Sequence, residues 1–355
     1  MRVLYDYQAF MQRQGGVSRY FVELIAALKG IEGFEAQLPS IYSDNEYLEN
    51  KITFLTPRHF KGKERIMAAM NRMRTAKLLA SDFDVFHPTY YRPYFLKALK
   101  RPFVITVHDM IHELFSTVHV RNDGTARQKR ALCERASRII AVSDNTKRDV
   151  CRLLEVSENK VTVIHHATNL RYAGGPNTRD RPYMLFVGSR SGYKNFTKMI
   201  EAVARLLIRH GLELLCAGGG SFTRAEMDSI KALGVSSFVH QIPSLHSSQL
   251  SSLYHFASVF CYPSLYEGFG IPLLEAFACG CPVAAGSTSS FPEVAGEAAE
   301  YFDPLSAESI AGAIENIILH SSRARELIAA GTSRLKSFSW KKSAVKTLAI
   351  YSEAS

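Results

Sequence analysis

Short apolar runs alternate with amphipathic stretches along the whole 355-residue chain. The runs fall at 3–5, 85–87, 103–107, 139–142 and 161–164, and again at 184–187, 212–217, 238–241, 259–262, 282–285 and 300–302. Runs this short, bounded by turn residues and separated by helix-period segments, predict parallel strands with helices on both faces. Val17, Tyr20, Phe21, Leu24 and Leu28 recur at helical spacing after the first run. A last helix is predicted over 338–351, with Ser339 as its N-cap. The stretch 172–182 is rich in Gly, Pro and charge and reads as a linker. Two α/β domains are therefore expected, 1–175 and 176–337, followed by a closing helical segment, 338–355.

Composition narrows the class. Hydrophobic residues make up 46% and charged residues 21%, as in an ordinary globular protein. No apolar stretch approaches the roughly 20 residues of a membrane-spanning helix. Asp6 and Gln8 interrupt the opening segment where a signal peptide needs an apolar run, so a cytoplasmic location is expected. The six cysteines form no Cys-x-x-Cys pair and read as reduced thiols.

The net charge of +10 is uneven. Residues 1–178 hold 27 lysines and arginines against 18 acidic residues, and the rest hold 16 against 15. A basic first half suggests an anionic partner, either a membrane surface, a phosphorylated substrate or nucleic acid. No nucleic-acid recognition motif accompanies it. Lys61, Lys63, Arg65, Arg72, Arg74 and Lys77 cluster around Ile66, Met70, Met73 and Leu78. They form either a basic amphipathic helix suited to anionic lipid or an ordinary solvated face.

The chemistry concentrates in 262–283. A strand ends at Tyr262, a glycine-containing loop follows, and Pro272 opens a helix where a missing N–H costs nothing. The amides of Phe269, Gly270 and Ile271 then sit at a helix N-terminus, which attracts anions. Glu267 falls in the loop and Glu275 in the predicted first turn, so both carboxylates can face the crevice at the strand ends. Glu275 could accept ribose hydroxyls and Glu267 sugar hydroxyls, with a diphosphate at the amides between. Either glutamate alone would read as a solvated or capping residue. Together with the intervening glycines and proline they suit a nucleotide sugar. At the end of the second half's first strand, Arg190 and Lys194 flank a turn that begins at Gly188. Two fixed cations there can neutralise a departing nucleoside diphosphate, although the G-x-G-x-x-G spacing of a dinucleotide fold is missing.

The first half offers fewer groups. Gly15 and Gly16 could let backbone approach a phosphate closely, or form only a tight turn. His108 and Asp109 end a buried strand with polar residues, and His112 follows them. The loop 87–92, with Tyr90, also follows a strand and could shape an acceptor pocket. Asp82 and Asp84 form a D-x-D pair, which would raise a metal-dependent alternative, but they lie far along the chain from the other motifs.

These residues resemble glycosyltransferase family 4, over nearly the whole chain. Glu267 to Glu275 looks like its E-x7-E signature, and Gly188, Arg190 and Lys194 like its diphosphate-binding turn. Residues 141–147, 291–296 and 301–304 match further family segments, whereas Ile164-His-His-Ala-Thr-Asn169 departs from a common Pro-Asn-Gly turn. The resemblance implies a GT-B fold of two Rossmann-like domains facing a central cleft, with the closing helix crossing back onto the first domain. It implies a retaining, metal-independent hexosyltransferase acting by front-face displacement, without a cofactor beyond its nucleotide-sugar co-substrate. It gives Glu275 the ribose, Glu267 and His108 the transferred sugar, and Gly15 and Gly16 the donor phosphate. A GDP-sugar, mannose or a related deoxyhexose, is expected ahead of a UDP-sugar. A lipid-linked or oligosaccharide acceptor is expected, in surface polysaccharide or lipopolysaccharide assembly, peripheral on the inner face of the cytoplasmic membrane. The alternatives are a sugar-nucleotide epimerase or hydrolase on the same fold, and a non-catalytic sugar-nucleotide-binding regulator.

Overall fold

A computed structural model describes residues 1–39, 41–48, 51–52 (backbone only), 62–115, 124–177, 179–190, 192–243 and 245–355. The chain divides into two compact units. One comprises Met1–Glu113, Asn122–His166 and Ser339–Ser355, and the other Leu114–Arg121 and Ala167–Phe338.

In the first unit the strands are β1 (Arg2–Tyr5), β2 (Glu35–Gln37), β3 (Ile41–Tyr42), β4 (Lys51–Ile52), β5 (Val85–His87), β6 (Val104–Val107), β7 (Arg138–Ala141) and β8 (Val161–Val163). They pair in parallel as β2-β1-β5, β6-β7-β8 and a separate β3-β4. A parallel bridge from Phe86 to Phe103 joins the first two sets. The expected runs are these strands to within a residue at each end. β2, β3 and β4 have no apolar run in the sequence; all three are short, and β2 and β3 are only partly covered.

In the second unit the strands are β9 (Tyr183–Val187), β10 (Glu213–Ala217), β11 (Val239–Ile242), β12 (Val259–Tyr262), β13 (Val283–Gly286) and β14 (Glu300–Phe302). Their order is β11-β10-β9-β12-β13-β14, all parallel. Neighbouring residues on the central strands, such as Leu185 and Phe186 or Phe260 and Cys261, are both buried. Both faces are thus covered, which is why these strands read as unbroken apolar runs rather than alternating ones. Helices Phe196–His210 and Ala307–Leu319 supply much of one apolar cluster, packed on Met184, Phe186, Leu214 and Val259.

The boundary lies between His166 and Ala167, ahead of the stretch expected to be the linker. Tyr172 stacks on His255 with ring centroids 3.7 Å apart, and Leu170 is buried, so this stretch packs within the second unit. Its glycines and prolines mark irregular backbone, and such backbone need not be where contacts change.

The closing helix, Trp340–Ala354, belongs to the first unit, with Ser339 Oγ accepting from Lys342 N–H at 3.1 Å. A buried polar chain fastens it. Tyr351 Oη lies 2.9 Å from Tyr5 Oη and 2.7 Å from His87 Nδ1, and His87 Nε2 lies 3.0 Å from Thr106 Oγ1. Ser343 Oγ donates to the His165 carbonyl at 2.7 Å, and the His166 ring meets Tyr20 edge-on. The unusual His165-His166 pair is therefore a seat for this helix. Among the described residues no helix is long and apolar enough to cross a membrane. The cysteines are free thiols, all buried except the half-buried Cys151.

Burial holds three histidines of this unit neutral. His87 and His108 are pushed down to about 3, and His166 well below its ordinary value. The unfolded chain takes up these protons at about pH 6.5, and the folded unit only far lower. Stability is therefore intact above that pH and falls below it, by about 1.4 kcal/mol per pH unit per histidine. Melting temperatures should drop between pH 7 and 5, and His87→Gln, which keeps one hydrogen bond, should flatten the slope. A melting temperature independent of pH over that range would contradict this.

Candidate active site

The order of the second unit's sheet reverses beside β9, so the chains leaving β9 and β12 part in opposite directions and open a crevice at their C-terminal ends. Lys194 follows β9 and Glu267 follows β12, and they meet there. Lys194 Nζ lies 2.5 Å from Glu267 Oε1, with both side chains mostly buried. The ammonium also stands 5.4 Å from the centroids of the Tyr193 and Tyr262 rings. Tyr193 O accepts from Leu265 N–H at 2.8 Å, which ties the two loops by backbone.

A buried tyrosine stands by each glutamate. Tyr254 Oη donates to Glu275 Oε2 at 3.1 Å, and Tyr262 is buried near Glu267. Burial, and then the neighbouring carboxylates, hold both phenols well above their ordinary range, so each remains a donor. Glu275 is 4% exposed.

Helix Ile271–Ala278 starts one residue before Pro272, so Glu275 lies in the second turn and not the first. The helix dipole acts within the first turn, and it is Tyr254 that fixes this carboxylate. Gly270 is the N-cap at φ 96, a conformation that favours glycine, and a Cβ there would press on Phe291 at 3.3 Å. No side chain caps this N-terminus.

Arg190, expected as a second phosphate cation, is bound within the protein. Its Nε donates to Glu226 Oε1 at 2.9 Å and its Nη1 to the Gly218 carbonyl at 3.0 Å. Its Nη2 reaches the carbonyls of Gly219, Gly220 and Ser221. The guanidinium stacks 4.6 Å over Phe222, and the side chain is 2% exposed. Arg190 thus fastens the glycine loop after β10. That loop lies so close to the β9 turn that a Cβ on Gly219 would fall 3.0 Å from Gly188 O. A sequence shows a cation near a turn but not the ring of carbonyls that captures it.

The first unit's candidates lie apart from these in the chain. His108 packs on Tyr20, ring centroids 5.0 Å apart, and its buried Nε2 has no hydrogen-bond partner among the described residues. Asp109 Oδ1 accepts from Ile111 N–H, and its carbonyl accepts from Lys129 Nζ at 2.7 Å. Lys129, itself fully buried, pairs with Glu113 at 2.9 Å and so holds the His108 loop. Tyr90 rests on Tyr91, and Gly15 precedes helix Gly16–Lys29 as its N-cap. A Cβ on Gly16 would meet no atom within 4 Å. Asp82 and Asp84, the D-x-D pair, are both bound to Arg2.

Residues 173–334 match the family described as glycosyl transferases group 1, and residues 14–172 match Glycosyltransferase Family 4. The chain belongs to glycosyltransferase family 4. It is 24% identical to O-antigen chain mannosyltransferase B of Escherichia coli, with 99% of each chain covered. It is 27% identical to MMP alpha-(1->4)-mannosyltransferase of Mycolicibacterium hassiacum, covering 79% of this chain and 74% of the relative. Among solved structures it resembles sucrose-phosphate synthase of Thermosynechococcus elongatus, with a TM-score of 0.80 at 19% identity and coverage of 99% and 98%. That likeness is of fold, the GT-B fold. This family 4 protein is thus a glycosyltransferase.

Sequence reasoning missed Ser289, Ser290, Tyr254 and Asn195. The signal for the serines is the run Ser287-Thr-Ser-Ser290 directly after β13, at the same sheet edge.

Breaking a buried ion pair leaves its partner charge uncompensated. Arg190→Ala should therefore destabilise the second unit by about 3 kcal/mol, and Glu226→Ala by less, because Arg190 keeps its carbonyls. Chemical denaturation measures both, and equal melting of Arg190→Ala and wild type would refute the fastening role.

Proposed function

We propose that this glycosyltransferase moves a hexose, mannose or a related deoxyhexose, from a nucleoside diphosphate sugar to a saccharide acceptor with retention of anomeric configuration. The observation that carries the reading is the Lys194–Glu267 pair at the sheet's reversal point, with Glu275 held behind it by Tyr254. Lys194 is the cation of the site and takes the diphosphate together with the N-terminus of helix Ile271–Ala278. Glu275 takes the ribose hydroxyls, and Glu267 those of the transferred sugar. His108, kept neutral by burial, offers Nε2 to a sugar hydroxyl rather than a charge.

Glu267 is ill suited as a nucleophile, because Lys194 already binds its carboxylate. A front-face displacement fits better. The acceptor oxygen bonds to the anomeric carbon as the bond to phosphate oxygen breaks on the same face, and the acceptor proton passes to the departing phosphate. No metal enters this scheme, and with Asp82 and Asp84 bound to Arg2 the reading assigns the D-x-D pair a structural part.

Two relatives named as mannosyltransferases, one of them of the O-antigen chain, support mannose and surface polysaccharide or lipopolysaccharide assembly; a GDP-sugar ahead of a UDP-sugar and a lipid-linked acceptor belong to the same proposal. Helix Lys63–Leu78 supports docking on an anionic membrane. It exposes Ile66 and Met73 beside exposed Arg65, Arg72 and Arg74, whereas Lys63 turns inward to Asp44. Lys61 lies outside the described residues. Family membership disfavours the epimerase, hydrolase and non-catalytic alternatives.

Thermal shift of the full chain with GDP, UDP and ADP and their sugar conjugates tests the donor site. GDP and its sugars should stabilise most, Lys194→Ala and Glu275→Ala should each weaken the shift, and EDTA should leave it unchanged. No shift with any nucleotide would overturn the site. An inverted anomer in the product, or a glycosyl–Glu267 adduct, would overturn the mechanism. Flotation with vesicles containing anionic lipid should retain the wild type, and Arg65→Glu with Arg72→Glu should release it.

A further inference from the structure

Three non-glycine residues among those described have left-handed backbone: Glu155, Asn195 and Ser289. Two of the three fasten the same loop. Asn195, at φ 58, donates from Nδ2 to the carbonyls of Pro263 at 3.2 Å and Pro304 at 2.6 Å. Ser289, at φ 59, grips the peptide of Glu267 on both sides. Its Oγ accepts from Glu267 N–H at 3.0 Å and donates to the Glu267 carbonyl at 2.5 Å. Ser290 Oγ lies 3.0 Å from that carbonyl, and Thr288 Oγ1 donates to Leu265 O at 3.2 Å.

A serine at positive φ bears a steric cost that glycine escapes. Such outliers persist where the surroundings over-determine them, and they cluster at functional sites. The compensating feature at Ser289 is its hydroxyl, which prevents the Glu267 peptide from rotating and so fixes where the carboxylate meets Lys194. We propose that Ser289 is a positioning residue for glycosyl transfer, holding Glu267 in the orientation in which it receives the donor's sugar. This rests on the donor-site reading, in which Glu267 meets the sugar and Lys194 the diphosphate.

Backbone comfort and the hydroxyl part company in one substitution. Ser289→Gly suits the left-handed backbone and lacks the clamp, whereas Ser289→Ala lacks the clamp and keeps the strain. Calorimetric titration with GDP and GDP-mannose, and with UDP and UDP-glucose, reads the sugar's share of binding as a ratio of dissociation constants. A purely structural residue would move both ligands together, in step with melting temperature. A positioning residue moves the ratio. In both variants the nucleoside diphosphate should bind within about twofold of wild type, while the ratio of sugar-conjugate to diphosphate Kd rises about tenfold, the loss of one well-placed charged hydrogen bond. Ser289→Gly should melt at or above the wild-type temperature and Ser289→Ala below it. An unchanged ratio in Ser289→Gly, or equal weakening of both ligands that follows melting temperature, would overturn the proposal. If the wild type binds none of the four ligands, the donor-site reading fails first and takes this proposal with it.

Discussion

A parallel sheet wound outward in both directions from one strand must leave an opening where the order reverses, because the two chains leaving that point run to opposite faces. In the second unit that opening lies between β9 and β12. Most of the chemistry in this unit descends from it. Lys194 and Glu267 meet only because their strands are neighbours that feed diverging connections. Arg190, one turn earlier, falls on the side of β10 and is captured by the glycine loop there. A difference of four positions along one turn thus separates a cation ringed by backbone carbonyls from one paired with a loop carboxylate.

The first unit contains the same reversal, between β1 and β5, and fills it differently. Asp6, fully buried just after β1, accepts from Gln8 Nε2 at 2.7 Å, Thr89 N–H at 2.8 Å, Thr89 Oγ1 at 2.6 Å and Tyr94 Oη at 3.0 Å. Burial raises its pKa while these hydrogen bonds lower it, and burial prevails. A carboxylate so fully bonded is a staple between the loops. One unit therefore closes its reversal point with a saturated acid, and the other with the Lys194–Glu267 ion pair. Topology supplies the opening in both, and the residues placed at the strand ends decide how each is filled.

The strands were legible because both faces of each central strand are buried, which writes an apolar run into the sequence. The E-x7-E segment was legible because a loop glycine, a helix-opening proline and two carboxylates have few other reasons to coincide. What stayed hidden is tertiary. Nothing local distinguishes Arg190 from Lys194, since the carbonyls that capture Arg190 come from residues 218–221. Nothing marks Tyr254 as the partner of Glu275 from 21 positions away. The unit boundary, between His166 and Ala167, falls ahead of the glycine- and proline-rich stretch, because glycine and proline report backbone shape while the boundary follows packing.

The positions of the two strained residues connect these observations. Asn195 and Ser289 leave different strands, yet both end on the loop that carries Glu267. The loop is itself largely buried, with Tyr266 and Phe269 both packed inside, and these side-chain hydrogen bonds fix its backbone as well. Glu267 is itself only 9% exposed, so the hold acts on a carboxylate already mostly enclosed and paired with Lys194. Glycine at either position would ease the backbone and remove the hold. The strain is thus what allows a loop to carry a group with the precision of a strand.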